Sequence, residues 1–239
     1  SGLNTNNLVI AGIVTTPMIA YYSNIKSTVG VMITASHNNY LDNGLKVIYK
    51  GEKISKKQII ELEKEMLQIK SYKKRSIKYK ISNEVTNEYI KYANYNNFSH
   101  KFADYVVDTA NGAACNIAKE IFLGKIYFDQ PNGKNINKNC GCTNIETINN
   151  INDKKSVSFS FDGDGDRMLM TINRKIIQGD QILYLLIKDN LMKGKKNRVV
   201  CSIMTNPAII EALKELNVDV VESKVGDSYL LEYIKRFNN

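Results

Sequence analysis

Apolar and polar positions alternate along the chain in short blocks, which is typical of a protein built from strands and helices of modest length. Near the start, apolar runs predict strands at 8–14, 29–33 and 45–49. Between the first two runs, Thr16 followed by Pro17 predicts a short helix with Thr16 as its cap. A strand, a helix and a second strand in this order predict a βαβ unit with a parallel pair.

Ser55 and Gln58 have the spacing of a capping box, which predicts an amphipathic helix that reaches about Ile69. The apolar residues of this helix are expected to face a core: Ile59, Ile60, Met66 and Leu67. The pattern therefore predicts a helix that is buried on one side.

A basic run at 70–80 follows, and we interpret it as a solvated connector rather than a binding stripe. Beyond it, residues 84–94 are predicted to form a helix that bridges two domains, with Tyr89 and Tyr92 directed inward. The connector and the helix place a domain boundary between residues 82 and 83.

Strand and helix signals continue to alternate through the rest of the chain. Residues 105–114 are predicted to form a strand, a turn and the start of a helix that ends near 122. Further strands are predicted at 125–128, 157–161 and 168–172, with a polar loop at 132–144. The rest of the chain is predicted to form helices at 182–192 and 208–216, strands at 198–203 and 218–221, and a helix start at 225–229. The expected fold class is α/β with mixed sheets, in three domains at 1–82, 83–173 and 174–239. The last is short for an α/β domain, so a truncated chain is expected.

Three aspartates, Asp162, Asp164 and Asp166, alternate with glycines in a tight turn between two predicted strands. Convergent carboxylates repel one another unless a cation lies among them, and a hard ion such as Mg²⁺ suits oxygen ligands. The alternatives are a plain polar turn and a helix-loop-helix calcium loop. The calcium loop requires glycine at its sixth position and glutamate at its twelfth, where this chain has Arg167 and Asn173. The pattern therefore favours a divalent-metal site that serves a phosphate.

A second turn-rich stretch, residues 34–46, begins where the strand at 29–33 ends, and it contains Ser36. Ligands of α/β proteins collect at the carboxyl ends of strands. By itself, however, Ser36 could be an ordinary turn serine. The aspartate loop at 162–166 makes this ordinary-turn interpretation of Ser36 less favoured.

The 239-residue chain is basic, with a formal net charge of +9 and a pI of about 9.2. Its lysines are spread over the whole chain, so nucleic acid is not the expected partner, whereas an anionic small substrate is favoured. Neither an apolar run of membrane-spanning length nor a signal peptide is recognisable, so no membrane partner and a cytoplasmic location are expected.

The four cysteines are too few and too scattered to predict a disulfide framework: Cys115, Cys140, Cys142 and Cys201. The pair at 140 and 142 could suggest a metal site. A second Cys or His pair at zinc-like spacing is missing from the sequence, which argues against that interpretation.

The serine and aspartate loops together resemble those of the α-D-phosphohexomutase superfamily. The stretch Thr34-Ala-Ser-His-Asn38 is similar to the family's phosphoserine loop, and Asp162-Gly-Asp-Gly-Asp-Arg167 matches its metal-binding loop. Three further segments resemble the bacterial phosphoglucosamine mutase branch: Asn135-Ile-Asn137 followed by Cys140-Gly-Cys-Thr143, Gly179-Asp-Gln-Ile182, and Lys224-Val-Gly-Asp227. The resemblance implies consecutive phosphohexomutase-type α/β domains: a partial domain 1, a domain 2 and a partial domain 3.

The resemblance also implies roles for individual residues. Ser36 would carry a phosphate and exchange it with a hexosamine phosphate through a sugar 1,6-bisphosphate. Mg²⁺ would be held by Asp162, Asp164, Asp166 and an oxygen of the phosphorylated Ser36. Lys46 is implied as an acid–base group whose pKa is lowered by a neighbouring cation, although by position alone it could be a surface lysine.

Arg167 and Asn38 are implied to bind phosphate, and His37 to contact phosphate or to orient the loop. Two residues depart from the family pattern. Asn39 stands where the family usually has proline, which predicts a looser serine loop. Ser228 stands where the glucosamine branch usually has arginine, which predicts the loss of an anion contact or an ion pair.

The activity implied by the resemblance is the interconversion of glucosamine 6-phosphate and glucosamine 1-phosphate. The alternatives are a phosphomannomutase or phosphoglucomutase of the same family, or a non-catalytic module that binds metal and sugar phosphate. The family's sugar-reading loop and phosphate-clamp domain have no counterpart in these residues. The chain alone is therefore expected to be weakly active or inactive, and its sugar preference and oligomeric state stay open.

Overall fold

The computed structural model describes residues 8–69, 79–95, 105–151, 156–195 and 198–238. These residues form two compact units, Ser1–Ile176 and Ile177–Asn239. Both units combine helices with strands, and parallel and antiparallel pairs occur together. The predicted α/β class with mixed sheets is confirmed.

The first unit begins with helix α1 (Thr16–Ile25) and a three-stranded sheet of β1 (Val29–Ile33), β2 (Leu45–Tyr49) and β3 (Glu52–Lys53). Strand β2 lies between the other two and is antiparallel to both. Helix α1 packs on β1 and β2. The strands predicted at 29–33 and 45–49 are therefore confirmed.

The predicted parallel βαβ unit is wrong, because β1 pairs with β2 in antiparallel register. Residues 8–14 form no strand, and their one backbone bridge joins Ile10 to Ile81. An apolar run specifies a strand when a neighbouring strand pairs with it, and here Val14 instead packs among helices. The cap of α1 is Thr15 rather than Thr16, since the Thr15 side chain accepts a hydrogen bond from the Met18 amide.

Helix α2 (Lys56–Gln68) follows the predicted capping box, in which Ser55 and Gln58 bond each other's backbone amides. The prediction that its apolar side faces a core is wrong. The four residues are 40% to 86% exposed: Ile59, Ile60, Met66 and Leu67. Helical periodicity fixes which side chains share a face, but a buried face also needs a packing partner. Most of the basic run, residues 70–78, lies outside the described residues.

Helix α3 (Glu84–Tyr95) confirms the predicted helix at 84–94. Tyr89 packs against a buried cluster, as predicted. Tyr92 is 37% exposed and lies on the Tyr21 ring with a centroid distance of 4.6 Å, so its inward direction is not confirmed.

The larger sheet of the first unit has five strands in the order β5-β4-β6-β7-β8. Strand β4 (Tyr105–Asp108) runs parallel to β5 (Lys125–Tyr127) and β6 (Val157–Phe161), whereas β6 and β7 (Met168–Ile172) form an antiparallel hairpin. Strand β8 (Lys175–Ile177) completes the sheet.

Two helices accompany this sheet, α4 (Ala114–Ile121) and α5 (Ile145–Ile151), and a 3-10 turn at Cys142–Asn144 precedes α5. Helix α4 was predicted, but α5 was not, because its asparagines and β-branched residues give a weak helical signal. A buried cluster joins α1, α3 and α4: Val14, Met18, Val85 and Ile117.

The second unit contains α6 (Gly179–Met192), β9 (Arg198–Ser202), α7 (Pro207–Glu215), β10 (Asp219–Ser223) and α8 (Asp227–Asn238). The two strands are parallel. Each element was predicted to within a few residues. One buried cluster of this unit consists of Ile187, Val199, Cys201, Leu213 and Val218.

The division into three domains stays a prediction. Strand β8 lies after the predicted boundary at 173 but still pairs within the five-stranded sheet. The first unit ends at Ile176, a few residues beyond that predicted boundary. Among the described residues, no helix is both long and apolar enough to span a membrane.

Candidate active site

The turn between β6 and β7 carries the three aspartates. It closes through hydrogen bonds from the Asp162 amide to the Arg167 carbonyl and from the Gly165 amide to the Asp162 carbonyl. Gly165 has a φ of 68°, a conformation that glycine adopts without strain. The loop is also held from outside, because the amides of Thr16 and Ala113, at the starts of α1 and α4, donate to loop carbonyls at 2.9 and 2.8 Å.

One oxygen from each of Asp162, Asp164 and Asp166 lies within 4.8 Å of the others. Asp162 and Asp164 are buried, at 0% and 1% exposure. Among the described residues, Oδ1 of Asp164 has no hydrogen-bond partner although it is buried. A buried carboxylate oxygen without a partner is costly unless a cation neutralises it. The three residues therefore fit a hard divalent ion that prefers oxygen ligands.

Basic side chains surround this cluster. The Lys46 ammonium donates to Asp164 at 2.5 Å and to Asp166 at 2.7 Å, and Lys53 lies 3.7 Å from Asp166. Burial alone would lower the pKa of Lys46, but its hydrogen bonds to the two aspartates raise the pKa above its usual value. This direction is opposite to the lowered pKa expected from the sequence, because the contacts of Lys46 are carboxylates.

Ser36 lies against the aspartate loop. Its hydroxyl donates to Oδ2 of Asp162 at 2.7 Å and accepts from Nη2 of Arg167 at 2.8 Å. Nε of Arg167 donates to the same Asp162 oxygen at 3.0 Å. Ser36 has a φ of 57° and its amide donates to Thr34 Oγ1, so the loop turns sharply at this residue. The structure thus places the predicted serine beside the predicted metal ligands.

His37 and Asn38 occupy different positions relative to this group. Nδ1 of His37 contacts Nη2 of Arg167, and because a guanidinium can only donate, Nδ1 is the acceptor. The side chain of Asn38 is exposed and donates to Asp42 within its own loop, so its described contact is with the loop itself. The Asn39 side chain accepts from the Leu41 amide at 2.8 Å, a contact that stabilises the turn.

Sequence reasoning missed three residues at the site. The Thr16 hydroxyl donates to Oδ2 of Asp164, although the sequence pattern indicated a helix cap. The Asn137 side chain donates to the carbonyls of Ser36 and Asn38. Asp108, at the end of β4, accepts from the amides of Ala110 and Gly141. The sequence signal for Asn137 was present in the segment 135–137, but no role could be inferred from it.

Asp108 is fully buried, and burial raises the pKa of its carboxyl to about 6, partly offset by its backbone hydrogen bonds. The neighbouring Cys140 is also fully buried, and burial raises the pKa of its thiol to about 12.

Two family models match the chain. Residues 2–73 match "Phosphoglucomutase/phosphomannomutase, alpha/beta/alpha domain I", and residues 178–238 match "Phosphoglucomutase/phosphomannomutase, alpha/beta/alpha domain III". The serine loop lies in the first matched segment, and the aspartate loop lies between the two.

Among curated proteins, the chain is similar to the phosphoglucosamine mutase of Thermosipho africanus. The two are 36% identical over 239 residues, which is 95% of this chain and 55% of that protein. The chain thus spans about half the length of the curated relatives it matches.

Solved structures agree with the fold. A phosphoglucomutase/phosphomannomutase family protein of Burkholderia thailandensis superposes with a TM-score of 0.78 at 22% identity, covering 96% of this chain and 54% of that one. Aspergillus fumigatus N-acetylphosphoglucosamine mutase, solved with GlcNAc-6P and magnesium, superposes with a TM-score of 0.59 at 17% identity, covering 98% of this chain and 66% of that one. A second structure of the Aspergillus enzyme, with glucose 1,6-bisphosphate, superposes with a TM-score of 0.55 at 14% identity, covering 99% of this chain and 66% of that one.

Proposed function

The chain belongs to the α-D-phosphohexomutase superfamily, and from that premise we propose that it carries the phosphoserine and metal loops of a phosphoglucosamine mutase. Such an enzyme interconverts glucosamine 6-phosphate and glucosamine 1-phosphate. The observation that carries the proposal is the Ser36 hydroxyl, which lies between Asp162 and Arg167 at 2.7 and 2.8 Å. A nucleophile beside convergent carboxylates and a guanidinium suits phosphoryl transfer, which depends on positioning and charge neutralisation.

Asp162, Asp164 and Asp166 would hold Mg²⁺, together with an oxygen of the phosphorylated Ser36. The ion would neutralise charge on the transferring phosphoryl group. The buried Oδ1 of Asp164, which has no partner among the described residues, supports this assignment. The oxygen-only donor set favours Mg²⁺ over softer ions.

In the loading step, Ser36 Oγ attacks one phosphorus of a sugar 1,6-bisphosphate. The bond from Oγ to phosphorus forms, the bond from phosphorus to the sugar oxygen breaks, and a sugar monophosphate leaves. The Ser36 hydroxyl loses its proton as the bond to phosphorus forms, while Asp162 remains a ligand of the ion. The departing sugar oxygen takes a proton from the Lys46 ammonium, and the proton lost by Ser36 restores that ammonium, so the step balances.

The remaining loop residues position the phosphate. Arg167 donates to Ser36 Oγ and can hold a phosphoryl oxygen at the same place. Nδ1 of His37 contacts Arg167, which leaves Nε2 as the ring nitrogen that could face a phosphate. The Asn38 amide is a further phosphate donor once its side chain leaves Asp42.

Two alternatives are separated by experiment. The matched family models are described for phosphoglucomutase and phosphomannomutase, so a different hexose phosphate is a second candidate substrate. A non-catalytic module that binds metal and sugar phosphate is the third.

The deciding test is the intact mass of the chain after incubation with Mg²⁺ and glucosamine 1,6-bisphosphate. We expect the gain of one phosphate, which Ser36→Ala abolishes. Ser27→Ala is a matched control, because Ser27 is exposed and has a similar φ of 50°. Loading from glucose or mannose 1,6-bisphosphate in preference to the glucosamine compound would reassign the sugar. If the folded chain gains no phosphate from any of the three bisphosphates, the remaining candidate is the non-catalytic module that binds metal and sugar phosphate.

A further inference from the structure

We propose that Asn137 is a positioning residue that holds the serine loop so that Ser36 can receive a phosphoryl group. This inference rests on the proposed function, because it concerns the same site. Its basis is a pair of hydrogen bonds between segments about 100 residues apart in sequence, from Nδ2 of Asn137 to the carbonyls of Ser36 at 2.9 Å and Asn38 at 2.8 Å.

The orientation of this side chain follows from chemistry. Both partners are carbonyl oxygens, which only accept, so the amide nitrogen must face them and both of its hydrogens are used. Asn137 is 8% exposed, which means that water does not readily replace these donors. A side chain of the same shape without the two hydrogens would leave both carbonyls without these partners.

Asn137 is itself fixed to the larger sheet. Its amide donates to the Ala110 carbonyl at 2.9 Å, directly after β4, and its carbonyl accepts from the Asn144 side chain at 3.2 Å. Its φ is 56°, a conformation that asparagine tolerates better than most residues. The two hydrogen bonds to the serine loop therefore start from a backbone that is itself hydrogen-bonded to Ala110 and Asn144.

The serine loop also approaches the aspartate loop closely at the same place. A Cβ on Gly163 would lie 2.5 Å from the Ser36 carbonyl oxygen and 2.9 Å from Nδ2 of Asn137. Asn137 thus holds the Ser36 backbone in contact with the aspartate loop, and this contact places the hydroxyl 2.7 Å from Asp162. Misplacement of a reacting group by about 1 Å can lower a rate by about 100-fold.

Two variants separate positioning from folding. Asn137→Asp preserves the size of the side chain but replaces both donor hydrogens by an acceptor. Asn137→Gly removes the side chain and tolerates the positive φ. Asn139→Gly is the matched control, because Asn139 lies on the same loop with a φ of 53° and is exposed.

The readouts are single-turnover loading of Ser36 by glucosamine 1,6-bisphosphate over a range of concentrations, and hydrogen exchange of the amides of residues 35–38. For both Asn137 variants we expect the rate constant at saturation to fall about 10- to 100-fold, with a half-saturation concentration within threefold of the unsubstituted chain. Exchange at residues 35–38 should accelerate. Asn139→Gly should match the unsubstituted chain in both measurements.

Each other outcome counts against the inference. Equal loading rates in the unsubstituted chain and the Asn137 variants overturn it and leave the proposed function intact. Loss of folding in both variants, judged by circular dichroism, overturns it by making Asn137 a structural residue. No loading of the unsubstituted chain overturns the proposed function, and the inference with it.

Discussion

The Ser36 hydroxyl donates a hydrogen bond to Asp162, a residue 126 positions further along the chain. One contact therefore joins the two loops that the proposed chemistry needs, and Arg167 donates to both partners. This arrangement makes the site sensitive to any change that separates the two loops.

Mg²⁺ should stabilise the folded chain. An ion present at a free concentration of about 100 times its dissociation constant adds about 2.7 kcal/mol to the free energy of unfolding. We expect the melting temperature to be higher in Mg²⁺ than in EDTA, measured by circular dichroism. Asp166→Asn should lose most of this difference. Asp129→Asn removes an aspartate that pairs with Lys119 and should preserve it. An equal response of both variants would contradict the aspartate site.

Thr16→Val should weaken Mg²⁺ binding. The Thr16 hydroxyl donates to Oδ2 of Asp164 and thereby orients the carboxylate whose Oδ1 is buried without a partner among the described residues. Loss of a residue that orients a metal ligand typically costs about 10- to 100-fold in affinity, which titration calorimetry can measure. Thr16→Ser preserves the hydroxyl and should bind as the unsubstituted chain does. Unchanged affinity in Thr16→Val would remove Thr16 from the site.

Gly163→Ala should separate the serine and aspartate loops. Its Cβ would lie 2.5 Å from the Ser36 carbonyl oxygen and 2.8 Å from Cδ1 of Ile136, so the backbone must move. We expect a loss of about 1–3 kcal/mol in the free energy of unfolding and slower loading of Ser36. Gly179→Ala is the control, because a Cβ there meets no atom within 4 Å. A Gly163→Ala variant that unfolds and loads like the control would show that the close approach does not matter.

Asp108 should make stability depend on pH. Burial raises the pKa of its carboxyl from 3.8 to about 6. The folded state therefore binds a proton more tightly than the unfolded state. The resulting stabilisation is complete below about pH 4 and is lost as the pH rises through about 6, a change of about 3 kcal/mol.

Urea unfolding between pH 4 and pH 7 checks this prediction. Asp108→Asn should lose this component of the pH dependence, because an amide does not titrate. The side-chain NH₂ of the new asparagine would replace one acceptor oxygen and face the backbone N–H of Ala110 or Gly141, which is also a donor. A lower stability at all pH values is therefore also expected. Asp189→Asn, at a half-exposed position, should preserve the pH profile of the unsubstituted chain. If the free energy of unfolding of Asp108→Asn changes with pH as steeply as that of the unsubstituted chain, the pH dependence belongs to other groups.

The elements next to the site could be predicted from the sequence because their signals are local. Alternating side chains define the hairpin around the aspartates, and turn-forming residues define the serine loop. The antiparallel pairing of β1 with β2 could not be predicted, because an apolar run does not encode the direction of its neighbour. The exposure of α2 was missed for a related reason, since periodicity does not reveal what covers a face.

The ligand-like residues were also recognisable, but the residues that hold them were not. Asp164 belongs to a motif, whereas Thr16 looks like a helix start and Asn137 like part of a polar loop. Their partners lie 148 residues away for Thr16 and 101 and 99 for Asn137. Such pairs become visible when the fold brings the segments together.

The contacts of the aspartate loop also bear on how the chain folds. Thr16, Ser36 and Lys46 meet that loop across separations of 148, 126 and 118 residues. Contacts between residues so distant in sequence slow folding, because the intervening chain must be ordered before they form. We therefore expect the hairpin of β6 and β7 to form early and the complete site to mature last, so that a nascent chain acquires the proposed activity only after its secondary structure is already in place.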